Sequence, residues 1–174
     1  NANYVVKKTA SSGVKFFNYL LDNTYQSENA KVSISKNALY DNLNFEYGEG
    51  PVPANGYSKT QQIHNKYTPI FGSYTLSIRP TDNLTKDLYS KALIVSSLGG
   101  AQGGKYENGL VTASMRIFGD FYIAVDTIAP SITARNLVNN KNVANQSSID
   151  FSISDNLSGI QSFNGYIDGK WIVM

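Results

Sequence analysis

Few residues in this chain have the chemistry of a catalytic centre. His64 is the only histidine and cysteine is absent, so thiolate nucleophiles, disulfides and cysteine metal sites are excluded. As the base of a nucleophilic serine, His64 would also need an orienting carboxylate, and the chain has no G-x-S-x-G elbow. We therefore predict that His64 is a loop or surface residue with local hydrogen bonds, and that the chain has no catalytic residue and no cofactor.

Two short motifs match known functional patterns only in part. The stretch GGAQGGKY fits the G-x-x-x-x-G-K of a phosphate loop from Gly99 to Lys105, but Tyr106 stands where the magnesium-binding hydroxyl belongs and a strand pattern follows. SISK at 33–36 matches the S-x-x-K of penicillin-recognising enzymes, although that motif opens a helix and this stretch alternates like a strand. We predict a glycine-rich hairpin loop and an ordinary strand.

Three aspartates lie at the places where a cation could bind. Asp126, Asp155 and Asp168 could converge on calcium, which takes about 6 to 8 oxygen ligands. Asp and Asn side chains in turns also bond their own backbone, which explains Asp155 and Asp168 without a metal. Turn formation is the prediction, and a calcium site is the alternative.

Aromatic residues suggest a binding surface as another alternative. Some of them could stack on sugar rings, while strands also need aromatic side chains for their core. Trp171 follows an Asp-Gly turn and is expected to pack across a hairpin. The candidates for a sugar platform are Tyr40, Phe45, Tyr47, Tyr57, Tyr67 and Trp171.

Alternation of apolar and polar residues is the main structural signal. It gives about seven strands between Lys31 and Asp126, separated by Gly, Asn and Pro, as an immunoglobulin-like β-sandwich requires. The apolar run KALIVSSL reads as a strand buried on both faces or nearly so. The clearest alternating runs are Val32–Ile34, Tyr74–Ile78, Val111–Ile117 and Phe121–Val125. The sequence therefore predicts an all-β fold, with the first sandwich at 30–126.

Residues 1–29 form a lead-in segment in this interpretation. Val14, Phe17 and Leu21 could line one face of a short helix capped by Ser12. A strand is the alternative.

The pattern of residues changes after Asp126. DTIAPSI places a proline between two strands, which stiffens a linker and marks a domain boundary. In 127–174 about four strands fit, including a hairpin around Asp168-Gly169, where a sandwich needs about seven. We expect a partial second module that looks truncated after Met174, with an open edge that could form a strand-exchanged homodimer.

Composition limits the classes of partner. A formal charge of +2 without a long basic run argues against nucleic acid, and no apolar run approaches the roughly 20 residues of a membrane span. Abundant Tyr, Asn, Ser, Thr and Gly with few charges are typical of exported β proteins. We expect a periplasmic, outer-membrane-associated or extracellular location.

Four stretches carry a resemblance to a known family. They are SISKNALYDNLNFEY, HNKYTPIFGSYTLSI, FGDFYIAVDTIAPSI and ISDNLSGIQSFNGYIDGKWIVM. In that order they are similar to the region after the catalytic domain in large lysostaphin-like zinc metallopeptidases, the peptidoglycan endopeptidases of bacterial envelopes. The resemblance covers nearly the whole chain after Ala30, and it implies a non-catalytic β-sandwich region that continues beyond Met174.

The family's chemistry does not carry over with this resemblance. Its zinc site needs an H-x-x-x-D pair and an H-x-H pair, and this chain has only His64. We therefore expect a non-catalytic accessory region that spaces or orients neighbouring domains of an exported cell-envelope metallopeptidase or a relative. The alternative is a glycan-binding or adhesive cell-surface module, whose partner would be a cell-wall or surface glycan.

Overall fold

A computed structural model describes residues 13–172, which divide into two compact units after Asp126. The fold is all-β, as predicted. Within the described residues the helical structure is a single 3₁₀ segment, Lys86–Lys91, and no helix there is long and apolar enough to cross a membrane. The two units are described separately.

The first unit is built from two antiparallel sheets. The six-stranded sheet has the spatial order β1 (Gly13–Phe17), β4 (Leu43–Glu49), β5 (Gln61–Ile63), β11 (Gly119–Val125), β7 (Ala92–Ser96) and β8 (Ala101–Gly103). The five-stranded sheet has the order β2 (Asn23–Gln26), β3 (Ala30–Ile34), β6 (Tyr74–Ile78), β10 (Leu110–Met115) and β9 (Lys105–Glu107). Every pairing in both sheets is antiparallel.

Alternate residues of the two sheets form one apolar core. Val32 and Leu76 of the five-stranded sheet are fully buried, and so are Phe45 and Ile123 of the six-stranded sheet. Burying one such side chain stabilises the fold by about 1.5–3 kcal/mol. All five residues of β7 are buried, which confirms the prediction from KALIVSSL.

The helix predicted near the N-terminus is wrong. β1 pairs with β4 in the register Gly13↔Tyr47 to Phe17↔Leu43. Phe17 is fully buried and its ring stacks on Phe45 with centroids 4.7 Å apart, whereas Val14 and Leu21 are exposed. Backbone pairing and this one aromatic contact therefore outweigh the short apolar stripe of a helix. The Ser12 cap lies outside the described residues.

A second strand from the same segment joins the other sheet. β2 pairs with β3, and the turn between β1 and β2 is held by Asn23, whose Oδ1 accepts the Asn18 N–H at 2.9 Å. The Asn23 Nδ2 group donates to the carbonyls of Asn18 and Leu21 at 2.8 and 2.7 Å. Residues 13–26 thus contribute one strand to each sheet and are part of the sandwich.

The second unit contains two small antiparallel pairs. β12 (Ser131–Ala134) pairs with β13 (Phe151–Ser154), and β14 (Gly165–Ile167) pairs with β15 (Lys170–Ile172). The predicted hairpin is confirmed: Asp168 and Gly169 have φ of 50° and 75°, as a type I′ turn requires. From 127 to 172 every described residue is at least partly exposed.

Candidate functional site

Two loops meet at one end of the first unit. Residues 35–42 join β3 to β4, and residues 64–73 join β5 to β6. The Ala38 carbonyl accepts the N–H groups of Phe71 and Gly72 at 2.9 and 3.0 Å, which fastens one loop to the other. A Cβ on Gly72 would lie 3.1 Å from the Ala38 Cβ, so the close approach of the two loops favours glycine at this position. We call the exposed surface of these two loops the aromatic end.

His64 anchors the longer loop to the sheet. Its backbone has φ of 53°, its N–H donates to the Glu46 carbonyl at 2.9 Å, and its Nδ1 accepts the Glu46 N–H at 3.3 Å. The Nε2 atom lies 3.0 Å from Thr68 Oγ1. Because Nδ1 accepts, the neutral ring carries its proton on Nε2 and donates to Thr68. Both ring nitrogens are therefore used to hold the chain in place.

The surroundings of His64 keep its ring neutral. The imidazole lies over Phe45 with centroids 6.1 Å apart and meets the edge of Phe118 at 5.3 Å. Burial lowers the pKa of His64, and the Glu46 carboxylate opposes this shift only in part. The loop location and local hydrogen bonds agree with the prediction for this residue.

Three aromatic rings are exposed on the loops of the aromatic end. Tyr40 and Phe71 are 63% and 65% exposed, and their rings meet edge to face with centroids 5.6 Å apart and an interplanar angle of 78°. Tyr67 is 81% exposed, and the Lys66 ammonium lies 5.1 Å from its ring centroid. Burial raises the pKa of Asp120, and the positive charge of Lys66 opposes this shift only in part. This end therefore presents aromatic faces beside charges of both signs.

A buried polar cluster lies at another position in the first unit. The Tyr47 hydroxyl is 2.8 Å from Glu49 Oε1 and 2.6 Å from Gln61 Oε1, and it accepts the Ser27 hydroxyl at 2.8 Å. Burial raises the pKa of Tyr47 far above its ordinary range. The hydroxyl therefore stays protonated and links β4 to β5 and to the turn before β3.

Glu49 is the charged member of this cluster. Its Oε1 accepts the Asn29 Nδ2–H at 2.9 Å, and its Oε2 pairs with Lys59 Nζ at 3.1 Å. Burial alone would raise the pKa of Glu49, but the hydrogen bonds from Asn29, Tyr47 and Lys59 outweigh it, so the pKa is lowered. The carboxylate is thus ionised, and its hydrogen bonds connect residues from several parts of the first unit.

The predicted aromatic candidates divide by burial. Phe45 and Tyr47 belong to the core, and Tyr57 is half-buried against it. Tyr40 and Tyr67 are exposed at the aromatic end. Trp171 stands opposite Tyr166 across the β14–β15 hairpin, as expected for a cross-strand pair. Phe71 was missed, although an apolar residue between Pro69 and Gly72, outside any alternating run, was an available signal.

Two of the three aspartates named for calcium, Asp155 and Asp168, take part in turns. Asp155 Oδ2 accepts the N–H groups of Leu157 and Gly159 at 2.9 and 2.8 Å, and Asp168 occupies the first central position of its hairpin turn. The Asp126 N–H donates to the Lys91 carbonyl at 3.1 Å. Across residues 13–172 no three His, Cys, Asp or Glu side chains are grouped as a metal site needs.

The glycine-rich stretch is a hairpin, as predicted. Gly99 and Gly100 have φ of 98° and 88° in the turn between β7 and β8, where the Ser96 N–H donates to the Gly100 carbonyl at 3.1 Å. Lys105 begins strand β9 where a phosphate loop would begin a helix. The SISK stretch at 33–36 begins in strand β3 and continues into the loop after it, with no helix there.

Comparison with protein families finds a match for the first unit. The model of the Zu5-like domain matches residues 14–126, which is nearly all of the described first unit. No curated protein matches the sequence. Since the match covers more than half of the chain, the protein belongs to the Zu5-like domain family.

Proposed function

We propose that this member of the Zu5-like domain family is a non-catalytic accessory module of an exported cell-envelope protein, where it spaces and orients a neighbouring domain. The observation that carries the proposal is how its reactive groups are used. Both ring nitrogens of His64 are hydrogen-bonded, one to Glu46 and the other to Thr68. The Glu49 carboxylate contacts Asn29, Tyr47 and Lys59. A general base needs a free lone pair beside a substrate proton, and the His64 ring has none, because Nδ1 accepts from Glu46 and Nε2 carries the proton.

The mechanical part of the proposal rests on the first unit. Its two sheets share one closed core, and a packed interior of this kind resists deformation. Pro130 follows the last strand of this unit within a few residues, and proline restricts the backbone of a linker. A rigid body with a stiffened exit can hold its neighbours at a set distance.

The proposed parentage of the module is supported by a resemblance in sequence. The sequence is similar to the region after the catalytic domain of lysostaphin-like zinc metallopeptidases, so we place the chain in such a protein or in a relative that keeps only this region. The same resemblance supports export to the cell envelope. Neighbouring domains of the parent protein are its first partners in this proposal.

Two measurements test the proposal. The purified chain, incubated with cross-linked peptidoglycan and assayed by mass spectrometry of the soluble products, should release no peptide fragments. Cleavage that persists after purification and is lost in a His64→Ala variant would reject a non-catalytic role. Sequencing the gene around this segment should find a domain with H-x-x-x-D and H-x-H before it or, in a relative, other envelope domains.

A further inference from the structure

We infer that the aromatic end is a binding site for a neutral or N-acetylated glycan chain, in which sugar rings stack on Tyr40 and Phe71. This goes beyond the spacing role, because a module can hold a neighbour in place without contacting a polymer. The inference starts from exposure: Tyr40, Phe71 and Tyr67 are exposed to water, while Phe45 and Phe118, which contact His64, are fully or almost fully buried. The fold therefore has a filled core at this end without these three rings.

The arrangement of the rings suits a small ring-shaped ligand. Tyr40 and Phe71 stand nearly perpendicular, so together they form a corner with two aromatic walls. A pyranose has apolar C–H faces and hydroxyl groups at its rim, so one face can stack on a wall while the rim stays hydrated.

Hydrogen-bond donors lie beside the rings in sequence. The Oδ1 atom of Asn42 accepts the Tyr19 N–H at 3.3 Å, and the Oδ1 atom of Asn65 accepts the Tyr67 N–H at 3.0 Å. In the described part of the chain neither side-chain Nδ2 group makes a hydrogen bond. Each amide is thus held on one side and has donors left for hydroxyl or acetamido oxygens.

The charges at this end favour a ligand without strong charge. Lys36 and Lys66 are offset by Asp41 and Asp120, so the surface lacks the cluster of basic residues that binds phosphate polymers or anionic membranes. Stacking and neutral hydrogen bonds remain as the means of recognition. This points to a glycan and away from nucleic acid and lipid headgroups.

The site is formed before any ligand arrives. His64 ties the loop 64–73 to β4, and the Ala38 carbonyl ties Phe71 to the loop 35–42. A preformed site spends little binding free energy on ordering its own loops. His64 is therefore a positioning residue for the aromatic end.

The test is a binding panel with the full chain. We expect it to co-sediment with purified peptidoglycan sacculi or bind a soluble neutral polysaccharide by calorimetry, and soluble oligosaccharide should compete. Tyr40→Ala and Phe71→Ala should each weaken binding about tenfold, from the loss of one aromatic contact. Tyr40→Phe keeps the ring and should bind nearly as well as the wild type.

Phe16→Ala is the matched control, because Phe16 is also an exposed phenylalanine but lies on β1. It should leave binding unchanged, as should Trp171→Ala in the second unit, and thermal unfolding should verify that every variant is folded. An equal loss of glycan binding in Phe16→Ala and Phe71→Ala would overturn the inference, because it would indicate non-specific binding to exposed aromatic residues. So would absence of glycan binding by the wild type, or binding only to phosphatidylglycerol vesicles. None of these outcomes bears on the spacing role.

Discussion

The N-terminal segment gives the sharpest test of how the sandwich is held together. Phe17 and Phe16 are neighbours on the same strand and have opposite environments, fully buried and 60% exposed. Phe17 of the edge strand β1 stacks on Phe45 of the neighbouring strand β4, and both side chains are fully buried. Replacing each with alanine removes the same atoms from two different surroundings.

The expected costs differ by several kcal/mol. A buried Phe→Ala change costs about 3–5 kcal/mol, because apolar transfer and the cavity left behind add together. The aromatic pair with Phe45 contributes about 0.5–1.5 kcal/mol to such a contact. An exposed substitution usually stays within about 0.5 kcal/mol, so Phe16→Ala should be close to neutral.

Urea unfolding followed by far-UV circular dichroism measures this difference, since the strands of the first unit dominate the signal. The free energies of unfolding of the wild type, Phe16→Ala and Phe17→Ala are compared at equal slope. Costs below about 1 kcal/mol for both variants would refute the role of β1 in the core. The segment before β3 would then be a dispensable lead-in.

Four further predictions concern other parts of the fold. Because burial lowers the pKa of His64 below its ordinary 6.5, the unfolded state binds more protons, so stability should fall as the pH drops below about 6.5, and a pH series of melts should lose this slope in His64→Asn. Glu49→Gln should lower the free energy of unfolding in urea by about 1–3 kcal/mol at neutral pH, because hydrogen bonds to a charged carboxylate are lost. Since the pKa of Glu49 is lowered from its ordinary 4.5, the stabilisation in the wild type should be lost as the pH falls from 4.5 through the lowered pKa. Gly104→Ala should lower the melting temperature, because the new Cβ would lie 2.8 Å from the Leu93 Cα. Trp171 fluorescence should report unfolding of the second unit at a lower urea concentration than circular dichroism reports for the first, because small two-stranded pairs without buried residues are marginally stable.

The local alternation of apolar and polar residues was sufficient to locate individual strands. Alternation located β6 at Tyr74–Ile78 and β11 at Gly119–Val125, and the Asp168-Gly169 turn was readable because both positions need positive φ. The same signal failed at Phe17, where three apolar residues also fitted a helical face. The deciding contact there is with Phe45, far along the chain, and periodicity contains no information about it.

Sheet order was beyond the reach of the sequence for a related reason. β5 lies between β4 and β11, and β3 pairs with β6 across the intervening β4 and β5. Such pairings are fixed by which buried faces fit together, and many orders satisfy the same alternation. Residues can be assigned to a face from sequence, but their neighbours across the sheet cannot.

The aromatic end combines both kinds of information, and this explains why only part of it was predictable. Tyr40 and Tyr67 were named as candidates for a sugar platform because they are aromatic, and so were Phe45 and Tyr47, which are buried. Phe45 and Tyr47 lie within strand β4, whereas Tyr40 and Tyr67 lie in the loops 35–42 and 64–73. His64 holds the second of these loops to β4 through Glu46. The hydrogen bonds of His64 to Glu46 and Thr68 therefore help to fix the loop that carries Tyr67 and Phe71.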